Sequence, residues 1–514
     1  MAEEAFFILG AMTQPLLCAT VTGRTTEELR RARDAAQAAD LVELRLDTMD
    51  RPDAIGAIEG RRRPVIVTCR PVWEGGFFRG SEEERERILA EAQAAGAEFV
   101  DVEARAEFAA TLARRRRGRG IVLSMHAFDG RPADLAQRAL AMRTTGAEIV
   151  KIAIPAERLT DMLPLADLAA RREFVDADGA CGHVLLAMGQ AGVPSRILSA
   201  HLGNRWTYAG DGVAPGQLPA ARLLGEFGFR RITRDAALYG VVGNPIAHSL
   251  SPVMHNAGFR ALGLNAVYVP LQAADIDDFG TFARAMGMRG ASVTAPFKVA
   301  MLSKMDETDA MAQRVGAANT LVVRDGRWIG ANTDVDGFLT PLKGKIALKG
   351  ARVTVLGAGG AARAVAVALA AQGSAVTISA RHPDAARDVA ALAGGAVGPW
   401  PPRSGWDVLV NATTSGSGGE ADDPMQGMPL DGEIVFDLVY APPVTPLLDR
   451  ARREGCLTIG GIEMLVAQAE RQFELWTGQR PPAGLFAEAC DITSDAGRGV
   501  SPAMGLEPRH EENA

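Results

Sequence analysis

Along residues 14–203 short apolar runs of strand length, each closing on polar residues, alternate with stretches of helical period. The pattern predicts strands at 16–21, 41–47, 65–70, 98–103, 120–126, 148–154 and 183–188, with an eighth around 198–203. Helices are predicted between them, over 25–39 and over 81–95, where Ser81 followed by three glutamates reads as a capping box. Strands that alternate with helices pair in parallel, and eight such units are the count for a closed (β/α)8 barrel. The alternative is an open doubly wound sheet, but no glycine fingerprint opens the first unit.

Strand and helix alternate again beyond Thr233, through apolar runs at 239–243, 265–271, 290–293 and 319–323. A third series follows at 352–356, 375–379, 407–411 and 433–439, and an amphipathic helix opens at 461–468. The reading divides the chain into an N-terminal tail (1–13), a barrel (14–233), a second α/β lobe (234–340) and a nucleotide-type α/β domain (341–461). A helical segment (462–492) and a polar, disordered tail (493–514) complete it.

A chain of 514 residues exceeds what one core serves, in keeping with several domains. The net charge of −7 argues against general affinity for nucleic acid or anionic membrane. No segment approaches the ~20 apolar residues needed to span a bilayer. The five cysteines show no metal-like or Cys-x-x-Cys spacing, which predicts free thiols in a reducing compartment, the cytoplasm, and no metal site. The partners expected are small molecules, with the chain a monomer or a homodimer.

Candidate chemistry concentrates at the strand ends. Residues 147–155 form a β-branched apolar run with one ammonium, Lys151, at its centre. Such a lysine should face a packed interior, where desolvation favours the neutral, nucleophilic amine. The alternative is an edge-strand lysine whose stem lies on apolar surface while its head reaches water. Other predicted strand ends carry Glu43, Arg45 and Asp47, then Arg70 with Glu74, then Asp101 and Glu103, then His126. On a barrel those ends converge on one face.

Val-Glu-Leu-Arg-Leu-Asp at 42–47, Thr-Cys-Arg-Pro-Val-Trp-Glu-Gly-Gly at 68–76, Ser-Met-His at 124–126, Val-Lys-Ile at 150–152 and Ala-Pro-Gly-Gln at 214–217 together resemble the type I 3-dehydroquinate dehydratases. Met188-Gly189 and Ser195-Arg196 fit the same pattern. The resemblance implies that Lys151 forms a Schiff base with a substrate ketone and that His126, held by Glu74, moves the protons. It makes Arg70, Arg196 and Gln217 the residues that grip hydroxyls and carboxylate, with Glu43 and Arg45 lining the pocket. Where that family usually carries serine, this chain has Val213.

In the second half, Ser249 and Ser251 lie two apart in an extended loop, so their hydroxyls can face one polyol, although Ser251 also suits the cap of the next helix. Thr294 and Lys298 follow one strand and Asp334 follows another. The segment 352–363, Arg-Val-Thr-Val-Leu-Gly-Ala-Gly-Gly-Ala-Ala-Arg, reads as strand, glycine turn and helix, the seat of a dinucleotide pyrophosphate at Gly357, Ala358, Gly359, Gly360 and Ala361. The next strand ends in Ala380-Arg381 in place of the acid that binds an NAD ribose, and arginine there suits the 2′-phosphate of NADP.

These residues resemble the shikimate dehydrogenases over 237–490. That resemblance implies a two-lobed α/β unit with a Rossmann NADP-binding domain, with Lys298 and Asp334 as catalytic pair. Ser249, Ser251, Thr294, Asn319, Asp334 and Gln468 would bind shikimate, Tyr440 and Gly461 would edge the cleft, and Asn411 and Thr413 would lie along the cofactor. The two halves together imply dehydration of 3-dehydroquinate to 3-dehydroshikimate, then its reduction to shikimate with NADPH. One alternative makes the barrel a non-catalytic scaffold or ligand sensor beside an active reductase. Another makes the second half a quinate dehydrogenase using NAD, against which Ser251 and Arg381 speak.

Overall fold

The computed structural model describes residues 14–175, 181–212, 214–419 and 422–496. The expected N-terminal tail, Val213 and most of the expected C-terminal tail lie outside the described residues. Residues 493–496, assigned from sequence to that tail, belong to the helix Leu485–Ala496.

The first sheet contains β1 (Leu16–Val21), β2 (Leu41–Arg45), β3 (Val65–Thr68), β4 (Phe99–Glu103), β5 (Ile121–His126), β6 (Ile149–Pro155), β7 (Gly182–Met188) and β8 (Trp206–Ala209). All pairings are parallel, in the order β7-β6-β5-β4-β3-β2-β1-β8. The eighth strand is not at 198–203. That stretch continues the helix Val193–Ile197 as turns, and the Leu202 N–H bonds the Leu198 carbonyl at 3.2 Å. Its two buried leucines are a helical i, i+4 pair, and the β-forming Trp206, Thr207 and Tyr208 make the strand instead.

Between β7 and β8 the ring is closed by other means. The Arg205 N–H donates to the His183 carbonyl at 2.9 Å. The Asn204 amide accepts from Leu185 N–H at 2.8 Å and donates to the Leu185 carbonyl at 3.0 Å, so a side chain stands in for a strand residue.

Period-two alternation sorts these strands into two faces. Leu17, Val42, Val65, Val67, Val100 and Val150 pack outward, toward the surrounding helices. Leu16, Cys18, Leu41, Ile66, Phe99, Val122, Ile149, Val184, Trp206 and Tyr208 form a separate apolar cluster inside the ring. Moving toward the strand C-termini at the same parity, the inward positions turn polar: Thr20, Glu43, Thr68, Asp101, Ser124 and Lys151.

The second sheet contains β9 (Ala237–Gly243), β10 (Ala266–Gln272), β11 (Gly290–Val293), β12 (Glu307–Thr308), β13 (Thr320–Arg324) and β14 (Arg327–Ala331), in the order β10-β9-β11-β13-β14-β12. Simple strand and helix alternation predicts parallel pairing here, yet β13 runs antiparallel to both β11 and β14. The cause is a two-residue hairpin at Asp325-Gly326, both with positive φ (51° and 76°), a turn whose twist matches antiparallel strands.

The third sheet, wholly parallel, contains β15 (Arg352–Leu356), β16 (Ala375–Ser379), β17 (Ala396–Val397), β18 (Val408–Asn411), β19 (Ile434–Asp437) and β20 (Leu457–Ile459), in the order β17-β16-β15-β18-β19-β20. The order reverses between β15 and β18, the switch point at which such sheets bind ligands beyond the strand C-termini.

The chain forms two compact units, one of residues through Pro252 with Gly263–Asn332, the other of Val253–Leu262 with Thr333 onward. Barrel and second sheet therefore share a unit, and the helix Asp334–Leu342 belongs with the third sheet. Within the first unit the buried Asp278 carboxylate accepts from the Leu159 and Thr160 N–H groups, each at 3.0 Å, and from the Thr160 hydroxyl at 2.8 Å, tying the barrel to the helix Ile276–Ala285. Within the second, Gly337 lets that helix approach Gly461–Thr477, since a Cβ there would lie 2.7 Å from the Gln468 Cβ. Among the described residues no helix is long and apolar enough to cross a membrane.

Candidate active sites

A cavity at the C-terminal end of the barrel strands is lined by Thr20, Glu43, Arg45, Arg70, Glu74, His126, Lys151, Met188, Tyr208, Arg196 and Gln217, among others. All eight barrel residues expected in the site therefore border one space. Parallel register brings them there: Glu43 pairs with Thr20, Asp101 with Thr68, and Lys151 with Ser124.

Lys151 is 4% exposed and points into the ring, not out from an edge strand. Its Nζ lies 3.0 Å from Asp101 Oδ2, 3.5 Å from Glu43 Oε1 and 4.3 Å from the centre of the Tyr208 ring. The sequence reading weighed burial alone; the structure adds an ion pair with two carboxylates. Burial would raise the Asp101 carboxyl, but Arg70 and Lys151 outweigh it and hold that group well below the usual carboxylate range. Glu43 is oriented by the hydroxyls of Thr20 and Thr68, each donating at 2.9 Å.

His126 Nδ1 is 3.0 Å from Glu74 Oε1, which also accepts from the His126 backbone N–H at 2.9 Å. Burial, with Arg70 and Lys151 nearby, pushes the imidazole well below its ordinary value, so it is a neutral base at neutral pH. Burial raises Glu74 to about 7 against the opposing pull of Arg70.

The arginines differ in how they are held. Arg70 donates to Glu103 and Ser124, both at 2.8 Å, and pairs with Asp101 at 3.0 Å. Arg45 makes a two-pronged pair with Asp47 at 2.9 and 2.7 Å. Arg196 is different: 2% exposed, it donates to the Pro215 carbonyl at 3.1 Å while its Nε has no partner among the described residues. Burial alone lowers its guanidinium to about 10. A buried cation with an open donor is suited to an anionic ligand. Gln217 donates to Thr20 Oγ1 at 3.2 Å, linking the loop after β8 to β1. Asp101 was given no role in the site from sequence, and Thr20 and Tyr208 were not singled out. Asp101 was visible as a strand-end charge, whereas Thr20 and Tyr208 carry no signal until the strands are aligned.

The glycine turn of the second unit follows β15. Gly357 has φ of 102°, and a Cβ there would meet the Ala412 carbonyl and Thr413 Cγ2 at 3.0 Å, so both conformation and space require glycine. Gly359 caps the helix Gly360–Ala371 without a side-chain bond and has no heavy atom within 4 Å of where a Cβ would stand. No side chain therefore caps the start of that helix, which follows Ala358 and includes Ala361. Arg381 is exposed just past β16. Asn411 is fully buried, and its amide serves the protein: Nδ2 donates to Asp437 and Oδ1 accepts from the Thr413 N–H and hydroxyl at 3.1 and 2.7 Å. Gly461 opens its helix where a Cβ would press on the Leu438 carbonyl at 2.4 Å, and Tyr440 lies half-buried nearby in sequence, beyond β19.

Of the remaining expected residues, Ser249, Ser251, Thr294, Lys298 and Asn319 stand in the first unit, on the segments that follow β9 and β11 and just before β13. The Ser251 N–H donates to the Ser249 hydroxyl at 3.3 Å, and the buried Asn319 accepts from Thr320 Oγ1 at 2.8 Å. Asp334, Tyr440 and Gln468 stand in the second unit, Asp334 buried at the start of its helix and Gln468 buried along Gly461–Thr477.

The type I 3-dehydroquinase family model matches residues 17–232. Those of the shikimate dehydrogenase substrate binding domain and the shikimate 5'-dehydrogenase C-terminal domain match 241–321 and 461–490. The chloroplastic bifunctional 3-dehydroquinate dehydratase/shikimate dehydrogenase of Arabidopsis thaliana is 33% identical over 510 residues, 92% of this chain and 83% of that protein. The shikimate dehydrogenase (NADP(+)) of Citrifermentans bemidjiense is 41% identical over 277 residues, 50% of this chain and 96% of that protein. A crystal structure of shikimate 5-dehydrogenase from Thermus thermophilus, in complex with NADP(H) and shikimate, is 37% identical, covering 50% of this chain and 99% of that chain with a TM-score of 0.46.

Proposed function

Because the chain belongs to the bifunctional 3-dehydroquinate dehydratase/shikimate dehydrogenase family, whose two reactions are consecutive in the shikimate pathway, we propose that Lys151 carries the dehydration as a Schiff base. The observation behind this is a lysine amine buried in the same cavity as a neutral histidine. The Lys151 ammonium paired with Asp101 passes a proton to His126, the freed amine attacks the ketone carbon of 3-dehydroquinate, and His126 returns that proton to the carbinolamine hydroxyl, which leaves as water to give a protonated imine. That cation withdraws electrons from the adjacent carbon, so His126 can remove a proton there and leave an enamine. The enamine electrons then expel the hydroxyl one carbon further on, which departs as water with the proton that His126 returns. Hydrolysis of the imine frees 3-dehydroshikimate and restores the amine.

Glu74 orients the imidazole, and Arg196 is the residue that pairs with the substrate carboxylate. Arg45, Arg70, Glu43 and Gln217 hold hydroxyls.

For the second reaction the residues of the glycine turn fit NADP. Gly357 lets the turn close against the 412–413 loop, Gly359 leaves room for a pyrophosphate, the helix start at Gly360, which no side chain caps, offers N–H donors, and Arg381 supplies a cation for the 2′-phosphate. When bound, NADPH supplies the hydride. Lys298 and Asp334 are proposed to pass the proton to the reduced oxygen, with Ser249, Ser251, Thr294, Asn319 and Gln468 gripping the polyol and Tyr440 flanking it. The five cysteines are free, which suits a reducing setting, the cytoplasm in this reading.

Purified protein given 3-dehydroquinate and NADPH is expected to show enone absorbance that rises and then falls as cofactor is oxidised. Borohydride added with 3-dehydroquinate should attach substrate to Lys151, and Lys151→Met should prevent it. Trapping at any other residue would refute the assignment.

A further inference from the structure

The end of β19 carries a charged group that neither reaction uses. Asp437 is fully buried, and burial pushes its carboxyl up to about 6, so it remains an ionised acceptor at neutral pH. Three donors converge on it: Asn411 Nδ2 at 2.9 Å and the Val439 N–H at 3.0 Å on one oxygen, and Thr445 Oγ1 at 2.6 Å on the other. Each donor belongs to a different piece of chain. Asn411 ends β18, Val439 begins the loop after β19, and Thr445 caps the helix Pro446–Arg453.

From Asn411 the chain of bonds continues toward the glycine turn. Asn411 Oδ1 holds the Thr413 N–H and hydroxyl, and Thr413 Oγ1 accepts from the Ser415 N–H at 3.1 Å. The segment so fixed is the one against Gly357, whose missing Cβ would lie 3.0 Å from both the Ala412 carbonyl and Thr413 Cγ2. The Gly418 N–H bonds the Ala441 carbonyl at 3.0 Å, so the two loops also hold each other. β15 and β18 flank the switch point, and the loop that follows β18 stands against the Gly357 turn there.

We propose that Asp437 is a positioning residue for nucleotide binding, its carboxylate locking the loops at 412–418 and 438–445 into the wall against which the dinucleotide lies. The inference rests on the reading of the Gly357 turn as the nucleotide seat. Asn411 Nδ2 also donates to the Ser415 carbonyl at 3.3 Å, a longer bond than the 2.9 Å to Asp437, so the carboxylate is the nearer of the two acceptors that fix which way the amide oxygen faces. Buried as it is, the carboxylate persists because three donors offset its desolvation.

The test is Asp437→Asn in the full-length protein, which keeps the shape but turns one acceptor into an NH2 group facing donors. Thr445→Val, which removes one donor, is a milder second variant. NADPH binding without substrate, read by nucleotide fluorescence, is expected to weaken roughly tenfold in Asp437→Asn and threefold in Thr445→Val. At saturating substrate and cofactor, kcat for shikimate oxidation should stay within twofold, and the dehydratase rate, measured on the same molecules, should not change. Unchanged NADPH affinity in both variants overturns the proposal. So does a tenfold fall in that kcat or in the dehydratase rate, which would make Asp437 a residue of general folding. Gly357→Ala separates the underlying reading: if that variant binds NADPH as tightly as the parent, the nucleotide seat itself is misassigned.

Discussion

Glu74 shows how a single carboxyl trades stability for chemistry. Folded, it binds its proton more tightly than its ordinary value of 4.5 allows, rising to about 7. Its contribution to stability is therefore full below pH 4.5 and is lost as pH rises through 7, a loss of ~3 kcal/mol. Glu74→Gln removes the titration while keeping an oxygen for the His126 N–H. Urea unfolding of this variant should show it more stable than the parent at pH 8 and no more stable at pH 4.5, with dehydratase kcat down roughly a hundredfold. Lys151 and His126 were readable as residues because an ammonium or imidazole in an apolar strand is conspicuous. What holds them was less readable, since Asp101 looks like any strand-end carboxylate until Lys151 Nζ is found 3.0 Å from it.

At the scale of elements, seven barrel strands follow from apolar runs that close on polar residues, and the eighth does not. β8 is four residues long, and the more apolar stretch at 198–203 competes with it by hydropathy while obeying a helical spacing. The same region contains Asn204, whose amide bridges to Leu185 where no ladder joins β7 to β8. Asn204→Ala leaves a buried N–H and C=O of β7 without partners, and should cost about 3 kcal/mol. A lowered urea midpoint followed through dehydratase activity checks this; an unchanged midpoint would mean water replaces the amide. The β13–β14 hairpin had a readable cue, Asp-Gly between apolar runs.

At the scale of the molecule, the barrel cavity lies in one compact unit and the glycine turn in the other. The two activities should therefore be separable by mutation. Gly357→Ala, strained at φ of 102° and pressed on the Ala412 carbonyl, should weaken NADPH binding and spare dehydration of 3-dehydroquinate. Lys151→Met should abolish dehydration and leave reduction of supplied 3-dehydroshikimate at the parent rate. Initial rates of each half-reaction with purified variants decide the matter, and loss of both activities in either variant would show that the halves depend on each other.

Sequence alone determined seven of the eight barrel strands, the alternation of strand and helix beyond them, the strand-end charges and the glycine turn, because side-chain period, turn chemistry and apolar run length are local properties of the chain. Tertiary structure decided the rest: that Asp101 and Glu43 hold the Lys151 amine, that Arg196 is left with an open donor, that Asn204 closes the ring, and that Asp437 gathers two loops. Each of these joins residues of separate strands and loops or sets one group's solvation against another's charge, and such balances exist only once the strands are in register.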